Sequence, residues 1–266
     1  MESPLVTGTL AAPQEPCQRP DMSGEGIWLA GVDGCRGGWI VAFVRPTGHE
    51  STVRIVPRFA DVLAVPEAPA IVAVDMPIGL PERTGLGGRA AENAVRPLLG
   101  QRQSSVFSVP SRAAIYAADY GEACRIAAET SDPPRKVSKQ LFNIAPKIRE
   151  VDECLRAGAD AAARTFEVHP EVAFWRLNGE QALVEPKKVK SRAYEPGLRL
   201  RRNLLIAAGL SAEAVNAPPP KGAGPDDLLD ALACAAIARR LHAQIARPFP
   251  NPPPCDQFGL RMAIWA

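Results

Sequence analysis

The chain has 266 residues, 46% of them hydrophobic and 23% charged, a balance that excludes a disordered or fibrous protein and leaves ample length for a buried core. Thirty-one basic against 29 acidic residues give a formal net charge of +2, so bulk charge alone points to no polyanion, membrane surface or acidic partner. Three histidines and six cysteines with no C-x-x-C argue against a zinc site.

Residues 1–25 are rich in Pro, Gln, Glu and Ser and read as a disordered arm before a single domain over 26–266. The arm has neither the basic start nor the apolar core of a secretory signal, and no stretch approaches the ~20 apolar residues of a membrane helix. The expectation is a cytoplasmic protein with reduced thiols and no membrane partner. IWLAGVD (27–33) is an apolar run ending in an acid, and WIVAFV (39–44) follows the turn GCRGG, which suggests a hairpin. GCRGG lacks the Lys-Ser/Thr of a P-loop, so its glycines fit a tight turn better than a nucleotide site. TVRIVP (52–57) alternates like a third strand, RFADVLAV (58–65) has helical spacing, and IVAVD (71–75) is a continuous β-branched run of a buried strand. A helical insertion spans about 82–160, with breaks at Pro97, Pro110, Pro133 and Pro134. RTFEVHP (164–170) is a fifth strand; EVAFWRL, LRLRRNLLIAAGL and DDLLDALACAAIARRLHAQIA are helical. The apolar GLRMAIWA predicts a C-terminal edge strand over 259–265, which offers a route to a homodimer. Together these elements predict an α/β domain with helices packed on a mixed sheet.

Asp33 and Asp75 each close an apolar strand. In open α/β sheets that edge is where ligands bind, although an Asp there also commonly caps the next turn. GPDDLLDALA opens the last long helix. Asp226 and Asp227 suit its positive end, but Asp230 lies a turn further in, on the face it shares with Asp227 and among small apolar residues. Buried carboxylates of that kind call for a cation. Asp33, Asp75, Asp227 and Asp230 are therefore candidate metal ligands and catalytic residues for one or two Mg²⁺ or Mn²⁺ ions. Glu167 in FEVHPE is a further candidate catalytic residue, a ligand or the orienter of one. His169 is a candidate proton shuttle, with a structural hydrogen bond as the alternative.

GVDGCRGGW, VDMPIGLP, RPLLGQRQSSVFSVPSR, SKQLFNIAPKIREVD, FEVHPEVAFW and DDLLDALACA, in that order, resemble domain-of-unknown-function family 429, whose members are described as predicted ribonuclease H-like nucleases. The resemblance implies a ribonuclease H-like five-stranded mixed sheet, with strands 1–3 antiparallel and strand 4 beside strand 1. It also implies acids on strand 1, strand 4 and the last helix, at Asp33, Asp75 and the Asp227/Asp230 pair. The D-x-x-D of that helix is similar to that of Holliday-junction resolvases.

The segment 187–202 carries Lys187, Lys188, Lys190, Arg192, Arg199, Arg201 and Arg202 against one acid, Glu195. Such an excess suits a phosphate backbone, or simply a solvated face. Arg102, Ser104, Ser105, Ser108, Ser111 and Arg112, with Lys139, Gln140 and Lys147, form a second polar group suited to a phosphate. Arg102, Ser104, Ser105, Lys139, Lys147, Lys187 and Lys188 are the candidate substrate-binding residues. The leading expectation is a metal-dependent nuclease acting on nucleic acid or another phosphodiester. The alternatives are a non-catalytic module binding nucleic acid or protein on the same fold, and, further off, a nucleotide phosphatase or kinase-like phosphotransferase.

Overall fold

The computed structural model describes residues 26–190 and 192–266; the N-terminal arm read at 1–25 lies outside the described residues. Strands β1 (Leu29–Cys35) and β2 (Gly38–Val44) are buried at nearly every position rather than on alternate residues. Both faces of the sheet are therefore covered, which is why the sequence shows continuous apolar runs there. Only Arg36 and Gly37 separate the two strands, and the pairing closes at Cys35 with Gly38. Gly38 has φ +122, and a Cβ there would strike the Val56 backbone, so the turn requires glycine. Next come β3 (Ser51–Val56), helix α1 (Phe59–Leu63) and β4 (Ile71–Val74).

Between β4 and the next sheet strand lie α2 (Ala90–Val95), a 3-10 segment (Arg96–Ser105), α3 (Arg112–Ile115), α4 (Tyr120–Glu129), α5 (Lys139–Ala157) and α6 (Ala159–Arg164). This is the helical stretch predicted from the sequence. Helix α5 runs on through Pro146. Strand β5 (Thr165–Glu167) follows, then α7 (Pro170–Leu177), the two-residue strands β6 (Lys188–Val189) and β7 (Arg192–Ala193), α8 (Glu195–Ala207), α9 (Ala212–Asn216) and α10 (Pro225–His242).

The sheet order is β3-β2-β1-β4-β5. β1, β2 and β3 pair antiparallel, while β4 pairs parallel with both β1 and β5. These are the order and directions of a ribonuclease H-like α/β fold. Leu29, Ile40, Ala42, Val44 and Ala73 pack with α7, α8 and α10 on one face. Ala30, Val32, Val41, Phe43, Val72 and Val74 pack with α1, α4 and α5 on the other. Among the described residues no helix is long and apolar enough to cross a membrane.

The C-terminal edge strand expected over 259–265 is a correction. Only Ile264–Trp265 forms a strand (β9), and it pairs with Pro248–Phe249 (β8) in a separate two-stranded ladder. The apolar run is explained by packing instead. Ala263, Ile264 and Ala266 are buried, and Trp265 meets Phe166 of β5 edge to face at 5.3 Å. A ladder two residues long supplies almost no free edge for the pairing between chains expected from the sequence.

Candidate functional site

The acid positions follow from register. Val32 of β1 lies beside Val74 of β4 in the parallel pair, so the next residues of each strand, Asp33 and Asp75, come side by side. Side chains alternate along a strand, and the neighbours two back, Gly31 and Ala73, share their face, the one covered by α10. That helix sits unusually close. A Cβ on Gly31 would collide with the Ala231 carbonyl oxygen and the Ala235 amide, so glycine on the strand and alanines on the helix let the two backbones meet. Asp230, one residue before Ala231, is thereby delivered to the two strand acids. One carboxylate oxygen from each of Asp33, Asp75 and Asp230 lies within 4.8 Å of the others.

The three acids are held at a cost. Burial, followed by Asp75 and then Asp230, pushes the Asp33 carboxyl well above the usual carboxylate range. Burial and then Asp230 raise Asp75 to about 8, and burial raises Asp230 to about 6 with Lys187 opposing. Asp33 accepts the Gly34 N–H at 2.6 Å, whereas Asp230 Oδ1 is buried without any hydrogen-bond partner. Clustered oxygen donors, one of them orphaned, whose mutual repulsion is incompletely neutralised fit a metal ion.

Asp227 does not join them. As the third residue of α10 it accepts the Gly224 N–H at 2.8 Å, closing the helix start. Glu167 is also apart. It pairs with Val74 rather than Asp75, and that single step along a pleated strand puts its side chain on the opposite face. There both its oxygens are taken: Arg89 donates to Oε1 at 2.6 Å and to Oε2 at 3.0 Å, and the Ile78 N–H donates to Oε2 at 2.7 Å. Burial lifts Glu167 to about 7 against the pull of Arg89. Arg89 also donates to Glu92 and to the carbonyls of Ile78 and Gly79. Burial works against its charge, but Glu167 and Glu92 more than offset it and raise its pKa. The sequence reading missed Arg89 and Glu92. Their three-residue spacing at the start of a helix was the available signal, but their partner Glu167 lies 78 residues from Arg89.

A cavity of 270 Å³ opens beside the acids, lined by Asp33, Asp75 and Glu167 and by Phe107, Ile144 and Lys147 from the helical insertion. Ser105 and His169 also line it. The Lys147 ammonium donates to the Gly38 carbonyl at 2.6 Å and lies 4.4 Å from the centre of the Trp39 ring. His169 Nε2 is 3.2 Å from the Ser105 carbonyl oxygen, which can only accept, so Nε2 carries the proton; Nδ1 is buried without a partner. Burial lowers its pKa and keeps the ring neutral.

The remaining candidates are dispersed. Ser104 lines a separate cavity of 350 Å³ with Ser108, Arg135, Lys136 and Gln140. Arg102 is half-buried, and its carbonyl accepts the Ser105 hydroxyl at 2.8 Å. Lys139 lies over Tyr120 at 4.2 Å, away from the acid-lined cavity. The basic run is largely neutralised: Lys187 pairs with Asp230, Lys188 with Asp226 at 2.5 Å, and Arg202 with Glu195 at 2.7 Å. Arg201 is fully buried and grips both oxygens of Glu171 at 2.7 and 2.8 Å in a core ion pair.

No curated protein and no solved structure matches the chain. A family model does, over residues 31–254, a span that holds every strand of the sheet from Gly31 onward and all three clustered acids. The chain thus belongs to the family described as protein of unknown function (DUF429).

Proposed function

We propose that the chain is a hydrolase of phosphodiester bonds, a nuclease or an enzyme of small nucleotides, working with Mg²⁺ or Mn²⁺. The observation that carries this reading is the convergence of Asp33, Asp75 and Asp230 within 4.8 Å at the mouth end of β1 and β4, next to an open cavity. Hard oxygen donors of this kind select Mg²⁺ or Mn²⁺ over softer metals. Such an ion, when bound, lowers the pKa of water and stabilises charge on phosphoryl oxygens. Asp33, Asp75 and Asp230 would hold it.

The chain's own residues supply the rest. Lys147 is pinned at the cavity wall by Gly38 and Trp39, so its positive charge attracts a phosphate without having to be ordered first. Neutral His169, with a free lone pair on Nδ1, is equipped to accept a proton. Arg89 holds Glu167 in the cavity lining, where the carboxylate keeps the Ile78 amide and thus the chain after Asp75 in place. The half-buried Phe107 and Ile144 make part of the wall apolar, which suits a base or other flat group more than a phosphate backbone.

The test is cleavage of a labelled panel in Mn²⁺ and in Mg²⁺: single- and double-stranded RNA and DNA, hybrid, four-way junction and a set of small nucleotide esters. Asp75→Asn is run beside the wild type. Cleavage by the wild type alone supports the reading, and the favoured substrate names the class. Folded wild type that binds Mn²⁺ yet cleaves nothing favours the binding-module alternative.

A further inference from the structure

Lys187 is the one residue of the basic run that reaches the acid cluster. Its ammonium pairs with Asp230 Oδ2 and lies 3.9 Å from Glu171 Oε1. This is not the chance approach of a surface lysine. The backbone around it is fastened at successive residues: Arg201 donates to the Glu185 carbonyl at 2.9 Å, and the Tyr194 N–H donates to the Lys187 carbonyl at 2.9 Å. Between them, Gly197 of α8 packs so tightly on Pro186 that any Cβ would overlap the proline carbonyl. A fully buried arginine and a close glycine contact thus serve to present one lysine to Asp230. The adjacent Lys188, whose side chain is 48% exposed, pairs instead with Asp226.

The charges around the cluster can be set against one another. Glu167 and Glu92 share Arg89, Lys147 adds a further positive charge on the cavity wall, and Glu171 is answered by Arg201. Asp227, the acid that a second ion would call on, stands outside the cluster, with one oxygen closing the helix start on the Gly224 amide. What remains is three carboxylates facing one ammonium. One divalent ion together with Lys187 matches them; a second divalent ion would leave two surplus positive charges in a buried site, which is costly.

We propose that the centre takes a single divalent ion per chain and that Lys187 stands where a two-ion centre would carry its second cation. The inference rests on the metal-dependent reading above and narrows it. Lys187 is a positioning and charge-matching residue: it holds Asp230 and offers a fixed positive charge beside the ion that a substrate phosphate would meet.

The experiment is a calorimetric titration of the full chain with Mn²⁺ alone, carried out on the wild type, Lys187→Ala, Lys187→Arg and Asp75→Asn. The wild type is expected to bind one Mn²⁺ per chain and Lys187→Ala two, with Lys187→Arg restored to one and Asp75→Asn losing the site. Two ions in the wild type overturn the inference and leave the metal-dependent reading standing. One ion in Lys187→Ala also overturns it, because Lys187 would then be only a structural ion pair. No Mn²⁺ in the folded wild type removes the metal-dependent reading itself, and the inference with it. If Lys187→Ala does not fold, the wild-type count and that of Lys187→Arg decide: one ion in each is required, and two in either overturns the inference.

Discussion

Replacing Asp75 by Asn should stabilise the metal-free protein, the opposite of what removing a well-bonded buried group does. The folded chain keeps a proton on Asp75 up to about pH 8, while the unfolded chain releases it near 3.8. Between those values the folded state binds more protons, so stability falls as pH rises through the window and levels off above it. From 3.8 to pH 7 is about three units at ~1.4 kcal/mol each, or about 4 kcal/mol. Asp75 is only half-buried and borders the cavity, so solvent screening should halve that to about 2 kcal/mol. Asn resembles the protonated acid and escapes the penalty. In urea unfolding with a chelator present, the two proteins should be equally stable near pH 4, and the variant should lead by about 2 kcal/mol at pH 7. Mn²⁺ at a hundred times its Kd should add about 2.7 kcal/mol to the wild type alone and reverse the order. Parallel pH profiles, or an Asn variant less stable than wild type in chelator at pH 7, would refute the view that the clustered acids repel one another until a cation arrives.

Asp227→Ala should cost about 1 kcal/mol in chemical denaturation through the lost helix cap, yet leave Mn²⁺ affinity within about threefold; a lost site would return Asp227 to the ligand set. Arg89→Met, which strands Glu167 and Glu92 in the interior, should lower stability by about 3–5 kcal/mol, and a loss under 1 kcal/mol would show that the network is not needed. Gly31→Ala should cost at least about 1–3 kcal/mol in thermal unfolding and weaken Mn²⁺ binding, because α10 must lift Asp230 away from β1; unchanged binding would contradict the close-packing argument. Lys147→Ala should cost about 1–2 kcal/mol through the lost Gly38 hydrogen bond and Trp39 contact, and should weaken binding of a phosphate-bearing substrate and flatten its salt dependence, read by titration at two ionic strengths.

Asp33 and Asp75 were legible because each ends an apolar run, and a carboxylate there has no apolar rationale. The sheet order could be anticipated because two long apolar strands around GCRGG force a hairpin and because the quoted motifs occur in family order. Asp227 and Asp230 could not be told apart by spacing. Both lie on one helical face, and what separates them is that the first turn has unpaired amides to offer while the second has none. Whether Glu167 joins the acids or only orients the chain beside them could not be read for a similar reason: the strand was found, but its register against β4 depends on contacts between residues more than 90 positions apart. The charge run at 187–202 concealed four different fates, from the buried Arg201 to the exposed Arg199, because composition records charges without their partners. GLRMAIWA shows the converse. Apolar residues signal burial, and burial need not mean a strand.

The three clustered acids are set by β1, β4 and α10, and not one of them comes from residues 82–160. The facing wall, with Ser105, Val106, Phe107, Val109, Asn143, Ile144 and Lys147, comes wholly from that stretch. The clustered acids and the wall that faces them are thus inherited from separate pieces of chain. Lengthening a loop or swapping a helix in the insertion can reshape what enters the cavity without shifting a carboxylate, whereas a one-residue slip in β4 would turn Asp75 away altogether. Substitutions confined to the wall should therefore change which molecules the cavity admits while leaving the three acids where they are.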